Sequence, residues 1–398
     1  MKKILTMMLA SFLLLVQTAG CAVQKTVIAY TVYPVGYLVS RLISDVSGLS
    51  AENVQEQTIV QRSTLKADYQ SILENSSVFL HIGRLEPYLS LYNTEISAAQ
   101  PSQIDLSAMN AVYDFARYTA VVTDEGTAYV EGPYYKSDAF NLVDTDTKDL
   151  YLWTDPIAML SMAKDIRDFL EETYPDDTSL FETNYESLEN DLINLDAQYQ
   201  ALSTSNQQNN KVIRFVSMTA SFGNWQKTYG FEVYPVILSK YGVLPNEEQL
   251  AVIEQRIQDD GVHYIVYEPN MTDDMIELFN RIEDDLGLTR VELSNLSSLP
   301  ADDEGAGKDY LSIMYENLST LQTMVEDRPV TEAASDSQTA DTNDTQQETD
   351  TSSAELTDPL DTPSPTFTPD AGAVTSSSNT DWITRVENEG TVTADPAN

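Results

Sequence analysis

Short runs of β-branched and aromatic residues alternate along this chain with stretches whose apolar residues recur at helical spacing. Residues 212–216 and 263–267 show the first pattern, whereas residues 247–259 and 273–286 show the second. Two parallel strands cannot be joined by a tight turn, so this alternation is typical of mostly parallel sheets with helices on both faces. The alternation therefore predicts an α/β protein.

The two halves of the chain have a similar order of strands and helices, and 398 residues are too many for one core of ordinary size. We therefore expect two α/β lobes, an N-terminal lobe over 26–150 and a C-terminal lobe over 211–326. The predicted strands are residues 26–32, 54–60, 78–82, 212–216, 263–267 and 290–293. The predicted helices of the lobes are residues 37–46, a helix that follows a turn within 62–74, a helix that starts at 86, and residues 220–229, 247–259, 273–286 and 310–325.

A long helical pattern separates the two halves. Its apolar residues form one stripe over about six turns, made by Tyr185, Leu188, Leu192, Leu195, Tyr199 and Leu202. We expect a helix over 181–202 inside a helical connector over 151–210. A helix of this length would act as a rigid strut between the lobes.

The connector begins with residues 150–156, where a loop leads into a helix. Asp155 is a good N-cap residue, and Pro156 is favoured at the first helical position. Tyr151 and Trp153 directly precede this helix start. We expect the loop that carries them to face a ligand.

The N-terminus has the pattern of an export signal. Lys2 and Lys3 precede an apolar run that is too short to span a membrane. The run ends in Thr18-Ala19-Gly20-Cys21, which resembles a bacterial lipobox, and Cys21 is the single cysteine of the chain. We predict a signal peptide over 1–20 and a tether over 21–25, with Cys21 lipidated so that the protein is anchored on the extracytoplasmic face of the cell membrane. Ordinary cleavage after a small residue and an uncleaved anchor are the alternatives.

The composition of the chain changes near residue 326. Residues 327–398 are rich in acids, Ser, Thr and Pro and contain few large apolar residues. Such a segment cannot bury enough apolar surface to offset its chain entropy, so we predict an acidic disordered tail. The cluster 382–386, which contains Trp382, is either a short docking motif or an isolated apolar cluster in that tail.

Charge and motif content exclude several functions. The formal net charge of −41 repels nucleic acid, so no nucleic-acid partner is expected. The two histidines, His81 and His263, lie within apolar strand patterns, where structural roles are more common than catalytic ones. The sequence has no Gly-Lys-Ser/Thr phosphate loop, no Gly-x-Ser-x-Gly elbow and no His-Glu-x-x-His motif. We therefore expect that the protein is not an enzyme.

Several short segments, in order and at fitting spacings, resemble the solute-binding lipoproteins of zinc/manganese-type ABC importers. The resemblance covers residues 26 to about 325 and implies two α/β lobes, joined by a long rigid helix, that clamp a ligand between them. It also implies Zn²⁺ or Mn²⁺ as the ligand, an ABC permease as the membrane partner, and a monomer. The matching segments are Tyr33-Pro34-Val35, Asp68-Tyr69, Leu85-Glu86-Pro87-Tyr88, Trp153-Thr154-Asp155-Pro156, Ala220-Ser221-Phe222-Gly223 with Tyr229-Gly230, Tyr267-Glu268-Pro269, and Tyr310-Leu311-Ser312-Ile313-Met314 followed by Asn317-Leu318.

The chain departs from this family at the metal ligands, which are typically three imidazoles and one carboxylate. Carried over by position, the three histidines fall on Ala67, Tyr151 and Thr219, and the carboxylate falls on or beside Ser294. An alanine offers no ligand atom, hydroxyls are weak ligands, and a phenol with a pKa of ~10 is hard to ionise. The His-rich loop of the family corresponds here to residues 123–149, which are acidic and are expected to form a long surface loop.

Four carboxylates lie near the expected ligand positions and could replace the lost ligands: Asp68, Asp155, Glu268 and Glu292. An oxygen-based site of this kind would suit manganese, magnesium or calcium. The other reading is that these carboxylates cap helices and bridge the lobes. No cofactor is supported by the residues themselves.

Three hypotheses follow from the sequence. In the first, the protein is a lipid-anchored binding protein with a degenerate metal site, and its cleft is lined by Ala67, Tyr151, Thr219 and Ser294. In the second, it still takes up a divalent metal through oxygen ligands. In the third, it is a surface adhesin, an accessory protein or an enzyme built on the same fold.

Overall fold

Two parallel four-stranded sheets form the framework of the molecule. The computed structural model describes residues 26–56, 58–108, 112–123 and 126–328. The predicted signal peptide, Cys21, the tether up to residue 25, and residues 329–398 with the Trp382 cluster lie outside the described residues and stay predictions, as do the predicted domain boundaries. Within the described residues, no helix is both long enough and apolar enough to cross a membrane.

The first sheet belongs to the N-terminal lobe and has the strand order β2-β1-β3-β4, with every pair parallel. Ile28 lies in its centre, opposite Ala51 on one side and Val78 on the other. The elements of this lobe are β1 (Val27–Tyr30), α1 (Tyr33–Leu42), β2 (Ser50–Asn53), α2 (Tyr69–Asn75), β3 (Ser76–His81), α3 (Asn93–Ala99) and β4 (Ser102–Asp105), with short 3-10 turns at Val60–Arg62, Gly83–Leu85 and Pro87–Tyr92.

An antiparallel hairpin and two helices connect the lobes. The hairpin consists of β5 (Arg117–Thr123) and β6 (Gly126–Gly132). After 3-10 turns at Asp138–Phe140 and Leu152–Thr154, the chain forms α4 (Pro156–Thr173) and, beyond a third turn at Pro175–Asp177, α5 (Thr178–Gln208).

The second sheet belongs to the C-terminal lobe and has the strand order β11-β10-β8-β9, again with parallel neighbours. A short antiparallel pair, β7 with β12, lies beside it. The elements are β7 (Lys211–Val212), β8 (Arg214–Ser217), α6 (Asn224–Tyr229), β9 (Glu232–Pro235), α7 (Glu247–Asp259), β10 (Tyr264–Tyr267), α8 (Asp273–Leu286), β11 (Thr289–Glu292), α9 (Ala301–Gly305), α10 (Tyr310–Thr323) and β12 (Glu326–Asp327). The two sheets confirm the predicted α/β fold.

The helix α5 is the strut predicted over 181–202 and contacts both lobes. It is longer than predicted, with 31 residues and a length of about 46 Å. It packs against α4, against α1 of the first lobe and against α10 of the second. One buried apolar cluster contains Ile28 of β1, Leu192 of α5 and Phe215 of β8. The core is therefore continuous from one sheet to the other through this helix.

Several sequence predictions for the N-terminal half are wrong. The helix predicted over 37–46 is α1, which begins at Tyr33 and ends at Leu42. The helix predicted to start at 86 begins only at Asn93, because a 3-10 turn at Pro87–Tyr92 precedes it. The second strand is Ser50–Asn53, not residues 54–60, because β2 is a half-exposed edge strand whose Ser-Ala-Glu-Asn sequence has no apolar pattern. Val54 and Val60 are buried, but in a loop and a 3-10 turn. Residues 123–149 are not one long loop, because β6 of the hairpin occupies part of them.

Two further predictions need correction in the C-terminal half. The helix predicted over 220–229 begins only at Asn224, after a turn. The predicted tail boundary at residue 327 is wrong for its first residues, because Glu326 and Asp327 pair with β7, and Arg328 forms an ion pair with Glu232. The short strand β12 consists of two acidic residues, so its composition does not differ from that of the acidic segment that follows it.

The start of α4 depends on Asp155, as predicted. Its carboxylate accepts hydrogen bonds from the backbone N–H groups of Ile157, at 2.8 Å, and Ala158, at 3.3 Å, and from the Thr228 hydroxyl at 3.0 Å. These bonds satisfy helix N–H groups that have no partner within the helix. Asp155 is thus a helix cap that also ties α4 to α6.

We expect Asp155→Ala to lower the free energy of unfolding by about 1–2 kcal/mol, because the cap and its bond to Thr228 are lost. Urea unfolding of the chain would measure this as a lower midpoint at an unchanged slope. Asp155→Asn keeps an acceptor oxygen and serves as the control, with most of the stability retained. An alanine variant as stable as the parent would contradict the capping role.

Candidate functional site

Tyr151 lies in the turn before α4 and is 4% exposed. Its hydroxyl accepts a hydrogen bond from the side-chain amide of Gln61, and its ring contacts Trp153 edge-on, with 5.2 Å between centroids. Burial, reinforced by the charges of Glu268 and Asp149, raises the pKa of the phenol well above its usual range. The phenol is therefore neutral and acts as a hydrogen-bonding group rather than as an anionic ligand.

Glu268 is the centre of a buried hydrogen-bond network at the carboxyl ends of β8, β10 and β11. It is fully buried and accepts hydrogen bonds from the Thr219 N–H, at 2.8 Å, and from the Asn295 amide, at 2.6 Å. The hydroxyls of Thr219 and Ser221 donate to the same carboxylate. Burial raises the pKa of Glu268. Both carboxylate oxygens of Glu268 therefore already accept hydrogen bonds from groups of the protein.

The network continues from Glu268 towards the connector and the other lobe. Asn295 exchanges hydrogen bonds with Asn270 and also accepts them from Ser297. The Asn295 carbonyl accepts from the Trp153 indole at 2.8 Å, and the Ser297 carbonyl accepts from the Tyr33 N–H at the start of α1. The strand ends of the C-terminal lobe are thus joined to the loop that carries Tyr151.

A small cavity of about 10 Å³ lies beside Tyr151, which is room for about one water. Gln61, Asp146 and Asp149 line it. In the described part of the chain, Gln61 Oε1 and Asp146 Oδ1 are buried and have no hydrogen-bond partner. Each of these two lining residues thus has one acceptor oxygen without a donor, which suits a water or a small cation, although Lys148 and Lys240 also line the cavity.

Asp149 is 3% exposed, and its Oδ1 accepts from the Tyr151 N–H, at 3.2 Å, and from the Asn224 amide, at 3.3 Å. Burial raises the pKa of Asp149 to about 7. Its other oxygen faces Gly223 so closely that a Cβ at residue 223 would collide with it. A glycine is required there to leave space for the carboxylate.

The structure brings together only part of the site predicted from the sequence. Tyr151 and Thr219 are buried near Glu268, and Ser294 is half-buried, with its N–H and carbonyl both bonded to the side chain of Asn317. Ala67 is exposed and does not line the buried site. The N-terminal lobe contributes Gln61 instead.

Gln61 was missed because its signal is weak. It is one polar residue in a turn that follows buried Ile59 and Val60, and the sequence prediction placed a strand over these residues. Only the contact with Tyr151, 90 positions away, identifies it as part of the site.

Three of the four proposed replacement carboxylates lie outside the buried site or have a structural role. Asp68 and Glu292 are exposed, and Asp155 caps α4. Glu268 alone is in the site, where it binds four protein donors. Within the described residues, no three His, Cys, Asp or Glu side chains come together as a metal-binding group.

The two histidines lie elsewhere. His81 ends β3, accepts the Gly83 N–H, and has its pKa lowered by burial against the opposing charge of Asp105. His263 is exposed and pairs with Glu326 at 2.7 Å.

Comparison with known proteins identifies the family. Residues 28–324 match the family model described as "Zinc-uptake complex component A periplasmic", or ZnuA. The chain belongs to the ZnuA family. This membership confirms the resemblance to zinc/manganese-type binding proteins, and the ZnuA family consists of binding components of transport systems rather than enzymes.

Curated relatives in the ZnuA family share limited identity with the chain. The zinc-binding lipoprotein AdcA of Streptococcus pneumoniae is 29% identical over 186 residues, which are 46% of this chain and 36% of AdcA. The high-affinity zinc uptake system protein ZnuA of Bacillus subtilis is 22% identical over 174 residues, 44% of this chain and 52% of that protein. The chain thus spans about a third to a half of the length of these relatives.

Solved structures show the same ZnuA-type fold. The periplasmic zinc binding protein TroA of Treponema pallidum matches with a TM-score of 0.59 and 16% identity, over 75% of this chain and 99% of TroA. The Zn(II)-bound ZnuA-like domain of Streptococcus pneumoniae AdcA matches with a TM-score of 0.55 and 20% identity, over 75% of this chain and 98% of that domain. These matches confirm the two-lobe architecture.

The raised pKa of Asp149 makes a pH dependence of stability measurable. Between the unfolded pKa of ~4 and the folded value of about 7, the native state binds a proton that the unfolded state has lost. Stability contributed by this proton is full below pH ~4 and is lost as the pH rises to 7, with a slope of up to about 1.4 kcal/mol per pH unit.

We expect Asp149→Asn to make the decline of stability between these pH values shallower, because the amide keeps the acceptor for the Tyr151 N–H and does not titrate. Urea unfolding at a few pH values between about 4.5 and about 7.5 would measure the slope. Asp176→Asn, at an exposed position, is the matched control. Parallel curves for the parent and Asp149→Asn would refute the assignment.

Proposed function

We propose that this chain is the extracytoplasmic, lipid-anchored solute-binding component of a metal-type ABC importer whose inherited metal site has been replaced. It carries an altered ligand or has an accessory role, and it is not an enzyme. Membership of the ZnuA family supports the binding role and an ABC permease as membrane partner. The lipobox-like segment ending at Cys21 supports the anchor. We propose that it functions as a monomer.

The state of Tyr151 and Thr219 carries this proposal. Both residues occupy positions where the family resemblance places metal-binding imidazoles. The Tyr151 phenol is neutral and bonded to Gln61, and the Thr219 hydroxyl donates to Glu268. Zinc in proteins is held by imidazole, thiolate and carboxylate groups. A neutral phenol and a threonine hydroxyl do not replace them.

A second candidate function is uptake of a divalent cation through oxygen ligands. The supporting observation is the cavity beside Tyr151, where Gln61 Oε1 and Asp146 Oδ1 lack donors and Asp149 supplies a buried carboxylate. Oxygen donors of this kind suit manganese, magnesium or calcium better than zinc.

Calorimetric titration of the mature chain with zinc is expected to give no saturable binding, because the imidazole positions hold a phenol and a hydroxyl. The zinc-binding lipoprotein AdcA serves as the positive control. Tyr151→His is expected to remain without tight zinc binding, since Thr219 and Ser294 are unchanged. Stoichiometric zinc binding by the parent would overturn the replaced-site proposal.

Thermal unfolding with and without manganese separates the two candidates. A ligand that binds only the native state raises the melting temperature with its concentration. If the oxygen site operates, manganese stabilises the parent and fails to stabilise Asp146→Asn, whereas exposed Asp176→Asn responds like the parent. No shift in the parent removes the second candidate.

A further inference from the structure

Arg62 crosses from the N-terminal lobe to the C-terminal lobe. It ends the 3-10 turn after β2, and its Nε donates to the Gly242 carbonyl at 2.8 Å, with Nη2 donating to the same oxygen. Its Nη1 donates to the two carboxylate oxygens of Asp274, at 2.7 and 3.0 Å, and to the Thr272 hydroxyl. Gly242 precedes α7, and Asp274 lies in the first turn of α8, so every partner belongs to the second lobe.

The partners of Arg62 are shaped to receive it. Gly242 has a φ of +67°, and a Cβ there would lie 3.1 Å from Arg62 Cγ and 3.2 Å from its Nε. The bonds from the Thr272 hydroxyl and from Arg62 hold the pKa of Asp274 below its usual range. The guanidinium therefore contacts the ionised carboxylate of Asp274 and the backbone carbonyl of Gly242. Its five N–H donors lie in one plane, so it can bond to both acceptors at once.

An apolar contact beside Arg62 crosses the same boundary. Ile59 is buried and belongs to the apolar cluster of the C-terminal lobe, together with Val236, Ile237 and Met271. Burying the isoleucine stabilises the contact between the lobes more than the half-exposed ion pair does, because solvent screens the charges of the pair. The N-terminal lobe thus inserts one apolar and one charged side chain into the other lobe within four residues.

Gln61 lies between these two anchors, and its amide donates to the Tyr151 hydroxyl. We propose that residues 59–62 form a latch that holds the lobes closed across the cleft, with Arg62 as its charged hook, and that release of this latch uncovers Tyr151. The latch itself follows from these contacts, and its use as a gate for solute rests on the proposed binding function.

The separation of the lobes can be measured with one spin label on each lobe. Exposed Glu74 of α2 and exposed Glu277 of α8 are replaced by cysteine and labelled in the full chain. Cys21, the single native cysteine, is replaced by serine. Double electron–electron resonance then reports the distribution of distances between the lobes.

Two latch variants each have a matched control. Arg62→Met removes the hook, and Arg281→Met removes a guanidinium that pairs with Glu247 inside the second lobe, at 2.7 and 2.9 Å. Gly242→Ala places a methyl group against Arg62. Gly261→Ala imposes the same left-handed strain at a φ of +61°, but its Cβ has no neighbour within 4 Å.

We expect both latch variants to shift the distance distribution by several ångströms towards longer distances, while both controls superimpose on the parent. Unchanged distributions in Arg62→Met and Gly242→Ala overturn the latch. If Arg62→Met does not fold, Gly242→Ala against Gly261→Ala decides alone. Nitration of the Tyr151 peptide, followed by mass spectrometry, is expected to rise in the same variants, and protection equal to that of the parent would overturn the uncovering of Tyr151. Failure of the zinc and manganese titrations to behave as proposed leaves these outcomes unaffected, so the two proposals fail separately.

Discussion

The apolar stripe of α5 is the interaction on which the rest of the structure depends. Phe181, Leu188, Leu192 and Leu195 are fully buried along one face of this helix, and the helices that cover them come from both lobes. One face of each parallel sheet packs into this shared cluster, because Ile28 and Phe215 both belong to it together with the stripe. The helix therefore fixes which strand ends face each other across the cleft.

The polar groups at those strand ends explain how the site differs from an imidazole site. A carboxylate as deeply buried as Glu268 is costly unless donors surround it, and Thr219, Ser221 and Asn295 supply them. Thr219 thus lowers the cost of burying the Glu268 carboxylate by donating hydrogen bonds to it. Replacing it with histidine would remove a hydroxyl donor and a small side chain at once, so the altered positions form a coupled set.

The regular elements were predictable where the pattern was strong. Helices over 247–259 and 273–286 match the prediction residue for residue, because their apolar periodicity is clear, Asn246 caps the start of the first and Gly287 ends the second. The edge strand β2 and the hairpin β5–β6 were not predictable, since exposed strands carry polar residues that also suit loops. In the site, Tyr151 and Thr219 could be located from neighbouring motifs. The roles of Gln61 and Asp149 became visible only in the structure, because they depend on contacts with Tyr151 that no sequence motif marks.

The covering of α5 has a consequence for how the chain acquires its structure. Tyr199 of α5 donates to the Met314 carbonyl, and Tyr310 donates to the Trp153 carbonyl, so helix α10 completes the core through contacts separated by more than 100 positions. Contacts this distant in sequence form slowly, because long loops must close first. A growing chain that ends before residue 310 lacks the part of the α5 cover that α10 supplies, although α4 and α1 are already present. Productive folding therefore waits for the last helix of the second lobe, and truncation there would leave an aggregation-prone intermediate rather than a shorter functional protein.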